Sequence, residues 1–303
     1  MATCLGIEIG GTKLQLAVGS DDGNIEELVS LNAADTGESI REQIADAVTE
    51  LLQTSSVEAV GVGFGGPVDR ITGRIRCSHQ VPGWGDFPLR DWIAELLGGK
   101  PVAVENDANV SALGEALAGA GKGSDPVAYV NMGSGVGGGL VVGGVLYQGQ
   151  PPGEVEIGHL RMTPEGATLE SRCSGWAVDR RIREGIQSQP GSVLAELCAG
   201  AGSGEARFLG QALDQGDALA ERILQEICSD LAFGLSHVVQ LFHPEVIVMG
   251  GGLAQLGNRL KDGVQRALEP NIMDVFKPGP EIRLAGLGQQ VVPVGALLLA
   301  GRA

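Results

Sequence analysis

The chain has 303 residues, 43% hydrophobic and 19% charged, which excludes an intrinsically disordered chain and leaves room for two globular domains. A net charge of −16 argues against a nucleic-acid partner, whose binding relies on clustered Lys and Arg, and the apolar run Val291–Ala300 is too short to span a membrane. Five cysteines without C-x-x-C spacing read as reduced packing thiols, and a strand beginning by Leu5 leaves no room for a signal peptide, so a cytoplasmic protein is expected.

Alternation and apolar runs predict strands at Leu5–Ile9, Leu14–Val18 and Ile25–Leu31. Helical spacing follows over Glu38–Leu52, with Ile40, Ile44, Ala47, Val48, Leu51 and Leu52 on one face. Val57–Phe64 reads as a buried strand that ends in Gly65-Gly66-Pro67-Val68-Asp69. Pro88–Leu97 reads as a helix, Pro101–Val104 as a strand running into Glu105-Asn106-Asp107, and Ala108–Gly119 as a helix of small residues. After Pro126 the order restarts, with strands at Val127–Met132, Leu140–Val142 and Val145–Tyr147. A long helix over Ala218–Phe242, a strand at Glu245–Met249 ending in Gly250-Gly251-Gly252, and a helix at Val294–Ala300 complete the chain. No residue-level repeat is visible; the repetition is of elements. It predicts an α/β fold of two lobes with a central cleft: residues 1–115, with a C-terminal helix at about 290–303 packing back on them, and residues 116–289.

Two glycine-rich turns carry the chemistry. Gly10-Gly11-Thr12-Lys13 and Gly133-Ser134-Gly135-Val136-Gly137-Gly138-Gly139 each interrupt a pair of strand-like runs. Glycines let backbone N–H groups approach an anion, and Thr12, Lys13 and Ser134 add donors, so the pair suits a polyphosphate. The second turn satisfies G-x-G-x-x-G, but a hairpin follows it where a dinucleotide site needs a helix, and no Walker loop exists. Tight hairpin turns with glycine at positive φ and no ligand are the plainer reading. Asp107, where a strand meets a helix, suits a general base for an alcohol, yet Asn and Asp are favoured helix caps, and read alone the run fits capping better. Glu156 and His159, three apart, suit one ligand; no cysteine pair stands near to complete a zinc site. Gly250–Gly252 reads either as close approach to a nucleotide or as a helix entry. His79, His237 and His243 read as structural.

Taken in order, Ile9–Lys13, Gly61–Asp69, Glu105–Asn109, Leu113–Glu115, Gly133–Gly139, Glu156–His159 and Val246–Gly252 resemble the ROK family (repressors, open reading frames and sugar kinases), in its glucokinase-like members, almost end to end. The resemblance implies an actin-like, hexokinase-like (ribonuclease H-like) fold and transfer of phosphate from ATP, with Mg²⁺, to the 6-hydroxyl of a hexose, glucose being the expected acceptor. It implies Asp107 as the base, and Gly66, Asn106, Glu156, His159 and Glu170 at the sugar. Gly10, Gly11, Thr12, Lys13, Ser134 and Gly135 fall at the phosphates, Gly250, Gly251 and Gly252 at the adenosine, and Glu8 at Mg²⁺ through water. A homodimer is the family's usual form.

Three departures stand out. Glu8 replaces a usual Asp. The family's cysteine-rich zinc loop after the Glu-Ile-Gly-His histidine is missing, Thr163–Glu170 running straight through, so no zinc site is expected and Trp176 with the helix after it is expected to supply packing instead. Val155 and Gly65 replace a usual Gly and Pro. Fructose, mannose, allose or an N-acetylhexosamine as acceptor, polyphosphate as donor, and a non-catalytic sugar-sensing regulator are the competing readings.

Overall fold

The first predicted strands form β1 (Thr3–Ile9), β2 (Lys13–Ser20) and β3 (Ile25–Asn32) in a computed structural model that describes residues 1–78, 80–150 and 155–303. Then come α1 (Gly37–Leu51), β4 (Ala59–Phe64), the short strands β5 (Val68–Asp69) and β6 (Arg74–Ile75), α2 (Leu89–Leu96), β7 (Val102–Asn106) and α3 (Asp107–Leu117). The Thr36 hydroxyl accepts from Ser39 N and starts α1, whose buried face carries Ile40, Ile44, Val48 and Leu51 as the spacing predicts. The sheet order is β3-β2-β1-β4-β7, antiparallel between β1, β2 and β3 and parallel from β1 through β4 to β7.

The chain then forms β8 (Val127–Met132), β9 (Val136–Val142), β10 (Val145–Leu146), α4 (Leu169–Cys173), α5 (Gly175–Ser188), α6 (Val193–Leu197) and α7 (Leu209–Asp214). It ends with α8 (Ala218–Phe242), β11 (Val246–Gly250), α9 (Asn258–Leu268), β12 (Glu281–Leu284) and α10 (Val291–Ala300). The second sheet runs β10-β9-β8-β11-β12. Numbered within each sheet, both orders read third, second, first, fourth, fifth, so the repetition of elements is a repetition of topology. This is the mixed α/β arrangement of the actin-like, hexokinase-like class.

The chain divides into two compact units. One holds Met1–Gly123, Gly139–Val155 and Gly286–Ala303; the other holds Ser124–Gly138 and Glu156–Ala285. In the first, α10 is apolar on every side and fully buried, packing on β1, β4 and α3. Gly6 and Gly61 allow that approach. A Cβ on Gly6 would stand 2.8 Å from the Pro293 carbonyl oxygen, and one on Gly61 would run into that of Ala296. Phe64, Trp84 and Phe87 stack edge to face behind this sheet, with centroids 5.2 and 5.5 Å apart.

Several expectations need correction. Of Gly133–Gly139, only Gly133–Gly135 form the turn; Val136–Gly139 already belong to β9, because glycines can pair in a sheet as readily as they turn. None of the glycines in either predicted turn has positive φ, so conformational freedom is not the reason for them. Trp176 is 66% exposed and supplies no packing. His79 lies outside the described residues. No helix among the described residues is long and apolar enough to cross a membrane.

Candidate functional site

In the first unit the chemistry gathers at the C-terminal ends of β1, β4 and β7, the position parallel strands offer to ligands in open α/β sheets. Gly10 N–H donates to the Lys13 carbonyl at 2.9 Å and closes the first turn, leaving Thr12 exposed. Gly11 lies under the side chain of Gln80, which leaves no room for a Cβ. The last turn residue, Lys13, forms an ion pair at 3.0 Å with Glu8 and reaches the Gln289 carbonyl at 3.2 Å.

Asp107 opens α3. Its carboxylate is half-buried, and a Cβ on Gly65 would lie 3.5 Å from Oδ2 and 3.6 Å from Gly10 Cα, which puts the base candidate beside the first turn. Burial pushes its pKa up from 3.8 to about 6, against the backbone amides at the helix start. Burial likewise raises Glu8 to about 7, Lys13 pulling it down and Asp107 adding repulsion. Glu8 is 8% exposed, and its Oε2 accepts no well-aligned hydrogen bond despite the nearby ammonium. Glu8, whose Oε2 is ion-paired with Lys13, fits a hard divalent cation that takes one or two carboxylates and keeps its waters, the contact running through water.

The capping reading and the binding reading both hold for Asn106. Its Oδ1 accepts from Ala108 N at 2.9 Å and caps α3, while Nδ2 donates to the Gly66 carbonyl at 3.1 Å. The two predicted sugar-pocket residues are therefore joined directly, with one amide hydrogen left over. Sequence reasoning passed over Glu105, which supports this junction. Only 1% exposed, it accepts from Asn106 N at 3.0 Å, Asn109 Nδ2 at 3.3 Å and Gln148 Nε2 at 3.5 Å. Burial raises its pKa, with those donors and Arg70 opposing. Its place inside the Glu-Asn-Asp run was the available signal.

In the second unit the Gly133–Gly135 turn is tied to the start of α5, Gly175 N–H donating to the Gly133 carbonyl at 2.8 Å. A Cβ on Gly175 would stand 2.9 Å from that oxygen, so Gly175 is a second supporting residue that sequence reasoning did not mark. Ser134 is exposed at the tip. Glu170, expected at the sugar, accepts a hydrogen bond from Val136 N at 3.0 Å. A Cβ on Gly135 would lie 2.6 Å from the same carboxylate oxygen, so the structure places Glu170 against the second turn. Glu156 and His159 share one 3-10 turn, closed by His159 N–H donating to the Glu156 carbonyl at 3.0 Å, and both are exposed.

Gly250–Gly252 also belongs to this group. Gly251 has φ +84, and a Cβ there would lie 2.5 Å from the Met132 carbonyl; one on Gly250 would strike the Tyr129 hydroxyl. The triple glycine thus packs on the end of β8, where the second turn begins. No cluster of three or more His, Cys, Asp and Glu able to hold a metal ion occurs among the described residues.

Two sheets of one topology, each ending in a glycine turn, define the actin-like, hexokinase-like class of fold. The ROK family profile matches residues 4–303, and the chain belongs to that family as a glucokinase-like member. It is 31% identical to a glucokinase of Thermotoga maritima over 96% of this chain and 95% of that one. It is 32% identical to a kanosamine kinase of Amycolatopsis mediterranei over 98% and 95%. A crystal structure of a ROK family glucokinase from Streptomyces griseus in complex with glucose and AMPPNP superposes with a TM-score of 0.84 at 30% identity, covering 99% of this chain and all of that one.

Proposed function

We infer that this ROK sugar kinase phosphorylates the 6-hydroxyl of a hexose, glucose foremost, using ATP and Mg²⁺. The observation that carries the reading is Asp107, a carboxylate at a strand–helix junction beside the first glycine turn, with its pKa raised to about 6. A base of that strength is mostly ionised at neutral pH and still basic enough to take a proton as the alcohol oxygen attacks. Relatives that act on glucose, and one crystallised with glucose and a nucleotide analogue, support the substrates.

Asp107 accepts the 6-hydroxyl proton while the oxygen attacks the terminal phosphorus and ADP leaves. Positioning and charge neutralisation supply most of the acceleration in such transfers. Gly66 and the free amide hydrogen of Asn106 line the acceptor's approach, with Glu105 holding Asn106 in place. Glu156 and His159 offer an acceptor and a donor for further hydroxyls. The amides of Gly10–Lys13 and Gly133–Gly135 bind the phosphates, Lys13 adding charge, and Gly250–Gly252 receive the adenosine. Glu8 would hold Mg²⁺ through water, and the ion when bound neutralises charge on the phosphate oxygens.

The test is sugar-dependent ADP release from Mg-ATP over a panel of glucose, mannose, fructose, kanosamine and N-acetylhexosamines, for wild type and Asp107→Asn. Activity on one sugar, reduced by on the order of 10²–10⁴-fold in the variant, supports the reading. Sugar binding without turnover on any member, with ATP or with polyphosphate, overturns it in favour of a sensor.

A further inference from the structure

An arginine-lined hollow lies wholly within the second unit, where α4 and α5 meet the first half of α8. Its volume is about 340 Å³, and it takes Arg172 from α4, Arg181 from α5 and Arg222 from α8. In a chain of net charge −16, three guanidinium groups around one hollow are an exception to the general surface. Two carboxylates, Asp230 and Glu226, share the wall, so one unit of positive charge remains.

The ion pairs hold the site in shape without consuming it. Asp230 bridges Arg172 Nη1 at 3.3 Å and Arg181 Nη2 at 2.8 Å. Glu226 lies 3.6 Å from Arg181 Nε, and Arg181 Nη2 also donates to the Arg172 carbonyl at 3.3 Å. Arg181 is thereby fixed in orientation, yet its Nη1 is buried and has no acceptor. That nitrogen is closed to solvent and no group in the hollow reaches it, so Arg181 serves as wall and not as ligand contact. Nor do the side chains of Arg222, Gln225 and Ser229 make any hydrogen bond among the described residues. On the far side of Gln225 and Ser229 a second hollow of about 590 Å³ adds Arg259 and Arg266.

The geometry points to a binding site for a small phosphate monoester that also carries hydroxyl groups. Guanidinium forks match phosphate oxygens in shape and charge, and the exposed Arg222, Gln225 and Ser229 together offer more donors than a single carboxylate can engage. Glu226 accepts from a hydroxyl on a carbon skeleton that extends beyond the phosphate, which inorganic phosphate lacks. At 340 Å³ the hollow is within the range of small-ligand sites. This assignment does not depend on whether the chain phosphorylates sugars, since it uses none of the residues named for that reaction.

Titration calorimetry on the whole protein with glycerol 3-phosphate, inorganic phosphate and glycerol tests it. The expected result is saturable binding of glycerol 3-phosphate, weaker binding of phosphate and none of glycerol. Arg222→Gln, at an exposed helix position, weakens glycerol 3-phosphate by about tenfold or more, one charge-assisted contact being worth that factor. Sugar turnover by that variant stays unchanged. Gln225→Ala, also exposed on α8, gives a second reading should one contact be compensated. No saturable binding by wild type, or equal affinity in both variants, overturns the proposal. So does a change of molecular mass in Arg222→Gln with binding intact, which assigns the arginines to contact with another copy of the chain.

Discussion

Replacing Asp107 by Asn separates the cost of the base from its use. The carboxylate ordinarily ionises at 3.8 and here ionises at about 6, because burial disfavours its charged form. The fold therefore holds its proton more tightly than the unfolded chain does, and wild-type stability falls as pH rises between those two values. Each pKa unit is worth about 1.4 kcal/mol, and with a discount for partial solvent access the lost stability is about 2 kcal/mol at pH 7. An amide has no charge to desolvate. Asp107→Asn is accordingly expected to be more stable than wild type by about that amount at pH 7 and equal to it below pH 4. Its turnover at pH 7 falls by on the order of 10²–10⁴-fold, the gap to wild type narrowing as the pH drops below 6. Urea unfolding of both proteins at pH 3.5, 5 and 7, beside initial rates, measures both effects. The companion signature is an acidic limb in wild-type kcat/KM near pH 6, activity dropping about tenfold for each pH unit below it. A variant no more stable at pH 7 than at pH 3.5, relative to wild type, refutes the burial argument. A kcat/KM limb near pH 4 would do the same.

Three other outcomes follow from particular contacts. Gly251→Ala forces a Cβ against the Met132 carbonyl at φ +84 and is expected to cost on the order of 3 kcal/mol in unfolding, with KM for ATP raised; a loss under about 1 kcal/mol would show that β8 yields there. Glu115, fully buried, accepts from Ala120 N at 2.7 Å, Gly286 N at 3.0 Å and Leu287 N at 2.9 Å. Glu115→Gln turns an N–H group toward those donors and should lose about 3 kcal/mol, read as a lower urea midpoint with kcat little changed in the surviving folded fraction. Chelation is expected to stop turnover, and Mg²⁺ alone to restore all of it. Stoichiometric zinc in the purified protein, required for that recovery, would contradict the reading of the shortened loop after His159.

Periodicity was enough to place the principal strands and the helices α1, α2, α3, α8 and α10, but it left α5 without bounds and α9 unmarked. A helix face at Ile40, Ile44, Val48 and Leu51, or a strand ending in glycine, is a local signal set by side-chain spacing alone. The same holds for the repeated order of elements, which the two sheets reproduce strand for strand. Short helices such as α6 and α7 and the four-residue β12 went unread, because one or two turns contain too few apolar positions to establish a period.

The site divides along the same line. Residue type and order marked the glycine turns and made Asp107 a candidate, while the resemblance to the family favoured Asp107 as base over cap and added Glu8. What the glycines are for was not readable: Gly11 clears Gln80, Gly251 clears the Met132 carbonyl, and Gly175 lets α5 meet the second turn, all contacts between residues distant in sequence. Only tertiary structure could decide them. The burial that raises Asp107 and Glu8, the donors gathered on Glu105, and the arginines of α4, α5 and α8 turned onto one hollow have the same origin. A carboxylate or guanidinium carries its charge in the sequence, but its solvent and its partners are assigned by the packing of elements that the chain brings together from far apart.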